Sequence, residues 1–304
     1  MYYIFVINGR EEKYDSIMED LRKQMEGLKM PPYEIYRTEG VGDGTRFVRI
    51  YCDLHQKEEV CFVACGGSGT ANEVASGIIG FENKSMAIMA YGSTNDFTKQ
   101  YYTRDFTSLK RMLNGERHHI DVIRTNDSYS INVINIGFDA SVAYLAQKYL
   151  DDGMNGVRAF RKGLRDSLLT HRFNSIRISA DGEKLNRKRI MMCSIGNGSW
   201  CGGQYKCSPR AVTDDGLMEV CMIKPTTLLT FLMMLPIYTA GKHLDSEFCM
   251  KRMIYRQSKH VELDSKNLIY ISNDGEIYAA THFDIDILPR AITLQLPVKD
   301  EVYL

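Results

Sequence analysis

The chain has 304 residues, 44% of them hydrophobic and 25% charged, with 38 Lys and Arg balanced by 38 Asp and Glu. That is enough chain for two ordinary domains with a core each, and the composition excludes a disordered or membrane-spanning protein. A net charge of zero excludes a global field toward nucleic acid or anionic lipid, so any such attraction has to come from a local patch.

Residues 1–8 carry no basic leader and read as a first strand, Tyr2–Ile7, rather than a signal peptide. Ile17, Leu21, Met25 and Leu28 recur at helical spacing, and Tyr33–Arg37 is extended. Phe47, Ile50, Tyr51 and Leu54 mark a second helix. A strand at Val60–Cys65, a helix at Val74–Ile79 and a strand at Met86–Ala90 follow. Such alternation implies a parallel sheet that binds ligands at the carboxyl ends of its strands.

After about residue 118 the pattern becomes strand-rich, with strands expected at Ile120–Arg124, Tyr129–Phe138, Ser175–Ala180, Arg189–Ile195, Met218–Ile223, Met253–Gln257, Ile269–Ser272 and Ala291–Leu296. Asp181-Gly182 and Asp274-Gly275 read as turns, and helical stretches cover 139–172 and 226–243. The expected fold is α/β plus β: a parallel α/β domain over 1–118, with 289–304 as a candidate completing piece, and a β-sandwich over 119–288. The active cleft is expected between them. The apolar run from Leu228 to Tyr238 is well short of the roughly 20 residues of a membrane span. Eight cysteines without a C-x-x-C pair, and no export signal, point to free buried thiols in a reducing cytoplasm.

The chemistry-bearing segments begin where Phe62–Cys65 runs into Gly66-Gly67-Ser68-Gly69-Thr70-Ala71-Asn72. Glycines at a strand end let backbone N–H groups approach a polyphosphate, and the following helix N-terminus adds favourable partial charge. Taken alone the cluster is a strand-to-helix turn; it is neither a Walker loop, since no Lys follows, nor a spaced G-x-G-x-x-G. A second junction, Gly92-Ser93-Thr94-Asn95-Asp96, falls at the next strand end, where a parallel sheet would bring it alongside. The second half carries Gly196-Asn197-Gly198, Gly202-Gly203, Asp214-Asp215-Gly216-Leu217 and Asn273-Asp274-Gly275-Glu276. Each is a turn by itself, yet carboxylates beside glycine also suit a magnesium ion, which takes one or two carboxylates and keeps several waters.

In order and spacing these pieces resemble the diacylglycerol kinase catalytic family, which includes sphingosine and ceramide kinases and soluble bacterial lipid kinases. Gly66–Thr70 stands where that family has GGDGT, Ser93–Phe97 where it has G-T-x-N-D-F, and Asn135–Ala140 matches N-x-G-F-D-A. Gly196–Gly198 with Gly202-Gly203, Pro209–Leu217 and Asp274–Glu276 match the remaining segments. The resemblance implies a nucleotide domain of the NAD-kinase and phosphofructokinase type, a β-sandwich lipid domain, and ATP- and Mg-dependent phosphorylation of a lipid hydroxyl. It implies that Asn8, Gly9, Thr38, Gly66–Asn72, Thr94, Asn95 and Asp96 line the nucleotide. Asp215, the Leu217 carbonyl and Val212 would hold Mg²⁺, and Asp274 or Glu276 would act as general base, with Asp274 preferred. NAD kinases share the glycine turn, but the order from Gly196 to Leu217 follows the lipid kinases.

Two departures stand out. Asn8-Gly9-Arg10-Glu11-Glu12 replaces the family's N-P-x-S-G, and Ser68 replaces an Asp of the acidic network around the metal. The alternative reading is therefore a nucleotide- or lipid-binding protein with weak or lost kinase activity. Arg158, Arg161, Lys162 and Arg165, with His171 and Arg172, form a locally basic stretch, read either as a solvated helix face or as a patch for anionic headgroups. The expected partner is a lipid at a membrane surface, not nucleic acid, with homodimerisation left open; the expected location is cytoplasmic with peripheral membrane contact.

Overall fold

The computed structural model describes residues 1–9, 11–92, 95–170, 175–187 and 189–299. The chain divides into two compact units, Met1–Val122 together with the segment from Pro289, and Ile123–Leu288.

In the first unit strands and helices alternate: β1 (Tyr2–Ile7), α1 (Glu11–Met25), β2 (Tyr33–Arg37), α2 (Asp43–Leu54), β3 (Val60–Gly66), α3 (Ser68–Ile78), β4 (Lys84–Ala90), a 3-10 turn (Asp96–Tyr101) and α4 (Leu109–Leu113). β1 lies between β2 and β3, β3 pairs with β4, and Thr293–Gln295 add a further strand beside β4; every pairing is parallel. Tyr3, Phe5 and Ile7 of β1 and Cys61, Val63 and Cys65 of β3 share one face with Ile17 and Leu21 of α1 and with Leu109 and Met112 of α4. The intervening Ile4, Val6, Phe62 and Ala64 are buried as well. Burial on both faces is why these strands read as continuous apolar runs. α2 and α3 pack so closely that a Cβ on Gly77 would stand 2.5 Å from Val48 Cγ1.

The remaining elements are β5 (Glu116–Thr125), β6 (Ser128–Ser130), β7 (Val133–Gly137), α5 (Phe138–Asp151), α6 (Gly156–Thr170), β8 (Arg177–Ala180), β9 (Glu183–Lys184), β10 (Met192–Gly196), β11 (Met218–Ile223), α7 (Leu228–Thr239), α8 (Glu247–Met250), β12 (Met253–Ser258), β13 (His260–Asn273) and β14 (Glu276–Leu296). In the second unit the antiparallel order is β12-β11-β10-β7-β13-β14. The long β13 gives Ile271–Asn273 to β7 and Val261–Asp264 to β8, with a register shift between Asp264 and Ile269.

Period-2 alternation divides the second unit's interior into two cores. Cys193, Ile195, Met218, Val220 and Met222 face the sandwich interior with Val261, Leu263, Ile271, Phe283 and Ile285. Met192, Cys221 and Ile223 point the other way, where Phe138 of α5 and Phe231, Met234 and Tyr238 of α7 cover them. The Tyr238 hydroxyl lies 2.8 Å from Ser194 Oγ, which satisfies two buried polar groups together. All eight cysteines are free and buried.

The fold class agrees with the sequence reading, and several boundaries move. The stretch 139–172 holds two helices, broken where Gly153 takes φ +83°. Tyr129–Phe138 is two strands, and the short strands read at 269–272 and 291–296 are parts of β13 and β14. Asp181-Gly182 and Asp274-Gly275 are the hairpin turns expected, all four residues having positive φ. Phe231 is buried edge-on to Phe138, with ring centroids 5.6 Å apart. Phe231→Ala is expected to cost about 3–5 kcal/mol of unfolding free energy, read by urea denaturation.

Candidate active site

In the first unit the strand ends meet as the two glycine junctions require. Gly66 closes β3 and its carbonyl accepts the N–H groups of Tyr91 (3.0 Å) and Gly92 (2.8 Å), which binds the second junction to the first. Only glycine fits at 66, because a Cβ there would stand 2.3 Å from Thr70 Oγ1. Gly67 caps α3 without a side-chain hydrogen bond, and the N–H groups of the first turn that follows have no helical carbonyl behind them. Thr70, Ala71 and Asn72 are buried, Ser68 and Gly69 are partly exposed, and Asn72 Oδ1 has no hydrogen-bond partner among the described residues.

The β1 and β2 ends adjoin this turn. Asn8 N–H donates to the Cys65 carbonyl at 3.3 Å, and Gly9 N–H donates to Thr38 Oγ1 at 3.1 Å. Gly9 has no room for a side chain, since its Cβ would collide with the Thr38 carbonyl. The close approach of Gly9 to Thr38 therefore holds the end of β1 against the end of β2 although the family's serine is missing. Asn95 Nδ2 donates to the Gly92 carbonyl at 2.9 Å, and buried Asp96 pairs with Lys99 at 2.6 Å. Thr94 lies outside the described residues. Glu73, which the motif reading passed over, accepts the N–H groups of Gly42 and Gly44 (2.8 and 2.9 Å) and fixes the loop after β2. A carboxylate one turn into a helix that starts at glycines was the signal available for it.

In the second unit Asp274 occupies the left-handed turn between β13 and β14, at φ +48°. Its Oδ2 accepts from Ile131 N (2.9 Å) and Asn132 N (3.3 Å), and its Oδ1 from Val133 N (2.9 Å). Burial pushes its carboxyl up to about 6, against the opposing pull of these backbone hydrogen bonds. The segment it holds is tied onward: the Asn132 carbonyl accepts from Asn197 N and Gly198 N, and Asn132 Nδ2 donates to the Trp200 carbonyl. The G-N-G motif and the D-G-E motif thus meet across residues 131–133. Glu276 opens β14, partly exposed, and its side chain has no hydrogen-bond or ion-pair partner among the described residues.

The turn at Val212–Leu217 is exposed at Val212 and Asp215, and Gly216 takes φ +72°. Asp215 Oδ1 accepts Leu217 N–H at 3.0 Å. Carboxylate and carbonyl oxygens on an open turn form a hard, all-oxygen donor set, which fits a partly hydrated Mg²⁺ and not a softer metal. Arg158, Arg161 and Arg165 lie on one exposed face of α6. Lys162 sits with its ammonium 3.9 Å from the Tyr149 ring centre, and Arg165 pairs with Asp166 at 2.8 Å. His171 and Arg172 lie outside the described residues.

Asp139 received no role from the motif reading. It follows Phe138 in the first turn of α5, and burial pushes its carboxyl up to about 7. A carboxylate flanked by Phe138 and Ala140 was the sequence signal, but its burial could not be read from that signal.

Glycine junctions at the ends of parallel strands, and carboxylates on sandwich turns, are groups that phosphoryl-transfer chemistry can use. Residues 3–125 match the diacylglycerol kinase catalytic domain, and residues 132–296 match the YegS C-terminal NAD kinase beta sandwich-like domain. The chain belongs to this lipid-kinase family and is an enzyme of the kinase class, for which ATP is the phosphate donor. It is 28% identical to a Serratia proteamaculans protein called "Probable lipid kinase YegS-like", over 98% of this chain and 95% of that one. It is 25% identical to the Bacillus subtilis protein called "Diacylglycerol kinase", over 79% and 78% of the two chains. A crystal structure of a diacylglycerol kinase from Bacillus anthracis superposes with a TM-score of 0.67 at 17% identity, over 97% of this chain and 96% of the other, which shows a shared fold. No described helix is long and apolar enough to cross a membrane.

A Gly66→Ala chain must displace Thr70 and widen the turn. It is expected to show a smaller rise in Tm with ATP than the wild type, read as a thermal shift at fixed nucleotide concentration.

Proposed function

We propose that this protein transfers the γ-phosphoryl group of ATP to the hydroxyl of diacylglycerol or a similar lipid, in a magnesium-dependent reaction. The observation that carries this reading is Asp274, a turn carboxylate whose pKa is pushed up to about 6, close to the working pH of a general base. Its neighbour Glu276, without a side-chain partner among the described residues, supports a second acidic role on the same turn.

Phosphoryl transfer asks the protein mainly to position groups and neutralise charge. The backbone from Gly66 to Asn72 would bind the phosphates through N–H groups at the start of α3, with Asn8, Gly9, Thr38, Thr94 and Asn95 around them. Asp215 with the Leu217 and Val212 carbonyls would hold Mg²⁺, which when bound neutralises phosphate charge. Asp274 would accept the proton of the lipid hydroxyl as its oxygen bonds to the γ-phosphorus and ADP departs. Arg158, Arg161 and Arg165 would meet anionic headgroups, with Lys162 beside them. Ser68 keeps a hydrogen-bonding oxygen where relatives of this pattern have Asp, and it would lower the local negative charge.

Asp274→Asn is expected to lower kcat by about 10²–10⁴-fold in a radiolabelled-ATP assay with diacylglycerol. It should also lower Tm, because the NH2 group that replaces one carboxylate oxygen cannot accept and leaves at least one of the three N–H groups at 131–133 without its acceptor. Glu276→Gln should change turnover without moving Tm. The pH dependences of Asp274 run in opposite senses. Its raised folded pKa means that protonation favours the folded state, so that contribution is full below the ordinary carboxylate range and is lost as pH rises through about 6. Turnover instead should grow as pH rises through about 6, and this acid limb should vanish in Asp274→Asn. Ser68→Asp is expected to raise lipid phosphorylation several-fold; an unchanged rate would show that the chemistry is not limited there.

A further inference from the structure

The helix α7 is apolar all round, yet one side of it faces solvent. Residues 228–240 contain no charged side chain. Phe231, Met234 and Tyr238 fill the core beneath, while Leu229, Leu232 and Met233 are 71%, 50% and 56% exposed. Helices on the surface of a water-soluble protein carry charges on their outer face, and an all-apolar helix belongs in an apolar medium. Twelve residues span about 18 Å, too short to cross a bilayer but ample to lie along its surface.

The surroundings of α7 say which apolar medium fits. Lys224 precedes the helix and Lys242 follows it, both exposed. Lys206 donates its N–H to the Thr239 carbonyl at 3.3 Å, packs its chain over Gly241, and brings its ammonium to 5.7 Å from the Trp200 ring. An apolar stripe with lysines at both ends and a tryptophan beside one of them matches an anionic bilayer surface, where ammonium groups reach the headgroups and indole sits at the boundary. A second copy of the chain fits less well. Two-fold, antiparallel pairing of α7 would set Lys224 of one copy near Lys242 of the other, like charge against like.

We propose that α7 is a membrane-docking element: Leu229, Leu232 and Met233 enter the acyl boundary of an anionic bilayer while Lys224, Lys206 and Lys242 hold its headgroups. This assigns the lipid-kinase reading, on which it rests, a specific surface for reaching its substrate, separate from the arginine face of α6.

The test is sedimentation of the full chain with vesicles of phosphatidylcholine containing phosphatidylglycerol. The triple variant Leu229→Gln, Leu232→Gln, Met233→Gln alters only exposed side chains and should bind roughly 10- to 100-fold more weakly. Lys224→Glu with Lys242→Glu should weaken binding on anionic vesicles alone, in a salt-dependent way. A readout free of folding effects uses the unmodified protein: Trp200 is the only tryptophan, so brominated lipid should quench its fluorescence. Wild-type affinity in the triple variant, or no quenching at saturating vesicles, overturns the proposal. So does a triple variant that turns a dimer into a monomer with vesicle affinity intact. Phosphorylation of a short-chain diacylglycerol in detergent separates the two readings. If none occurs while vesicle binding still needs α7, the docking surface stands and the kinase substrate falls. If it proceeds while α7 proves irrelevant to vesicles, the reverse holds.

Discussion

Backbone N–H groups at the ends of strands must find acceptors, and both halves of this molecule are organised around that requirement. In the second unit the acceptor is a side chain. Asp274 reaches back from a hairpin turn to the three successive N–H groups of Ile131, Asn132 and Val133. Hydrogen bonds to an ionised acceptor contribute about 1.5–3 kcal/mol each, so this contact holds the β6–β7 connection in place. Asn132 then passes the constraint to Asn197, Gly198 and Trp200. In the first unit the solution differs. Glycine removes the side chain, Gly66 takes two N–H groups on one carbonyl, and the start of α3 presents its own N–H groups at the strand end.

This contrast separates the chemistry that the two turns can offer. A turn built from glycine and backbone offers partial positive charge without a titratable group, which suits a polyanion across a broad pH range. A turn built on a carboxylate that burial pushes up to about 6 offers a group able to exchange a proton near neutrality. The same hydrogen bonds that orient Asp274 oppose that upward shift, so its basicity is a balance between dehydration and three N–H dipoles.

How much of this was legible in the sequence depended on which forces shaped each segment. β1, β3 and β4 are buried on both faces, so their apolar runs and the glycines ending them stood out. β13 and β14 did not, because their solvent face pairs polar residues across the strands: His260 with Asp286, Glu262 with Asp284, Asp264 with His282. Those residues are poor strand formers, and His260 Nδ1 sits 2.8 Å from Asp286 while His282 Nδ1 sits 3.0 Å from Asp264. Polar cross-strand pairing replaces apolar pairing there, with the His260 imidazole reaching both Asp284 and Asp286, and no local pattern announces it. At the site, the motif residues were visible but their environments were not. That Asp139 is dehydrated, or that Asp274 rather than Glu276 holds the 131–133 segment, follows from partners distant in sequence.

The thiols have a practical consequence. Every cysteine is buried, and dehydration pushes Cys52 and Cys61 up to about 12, so they stay protonated and unreactive in the folded chain. With all eight native thiols buried, a single cysteine introduced on the surface would be the most accessible sulfur for a spin label or fluorophore. Distances and motions in this molecule are accessible to spectroscopy on the natural background, with no prior removal of native sulfur.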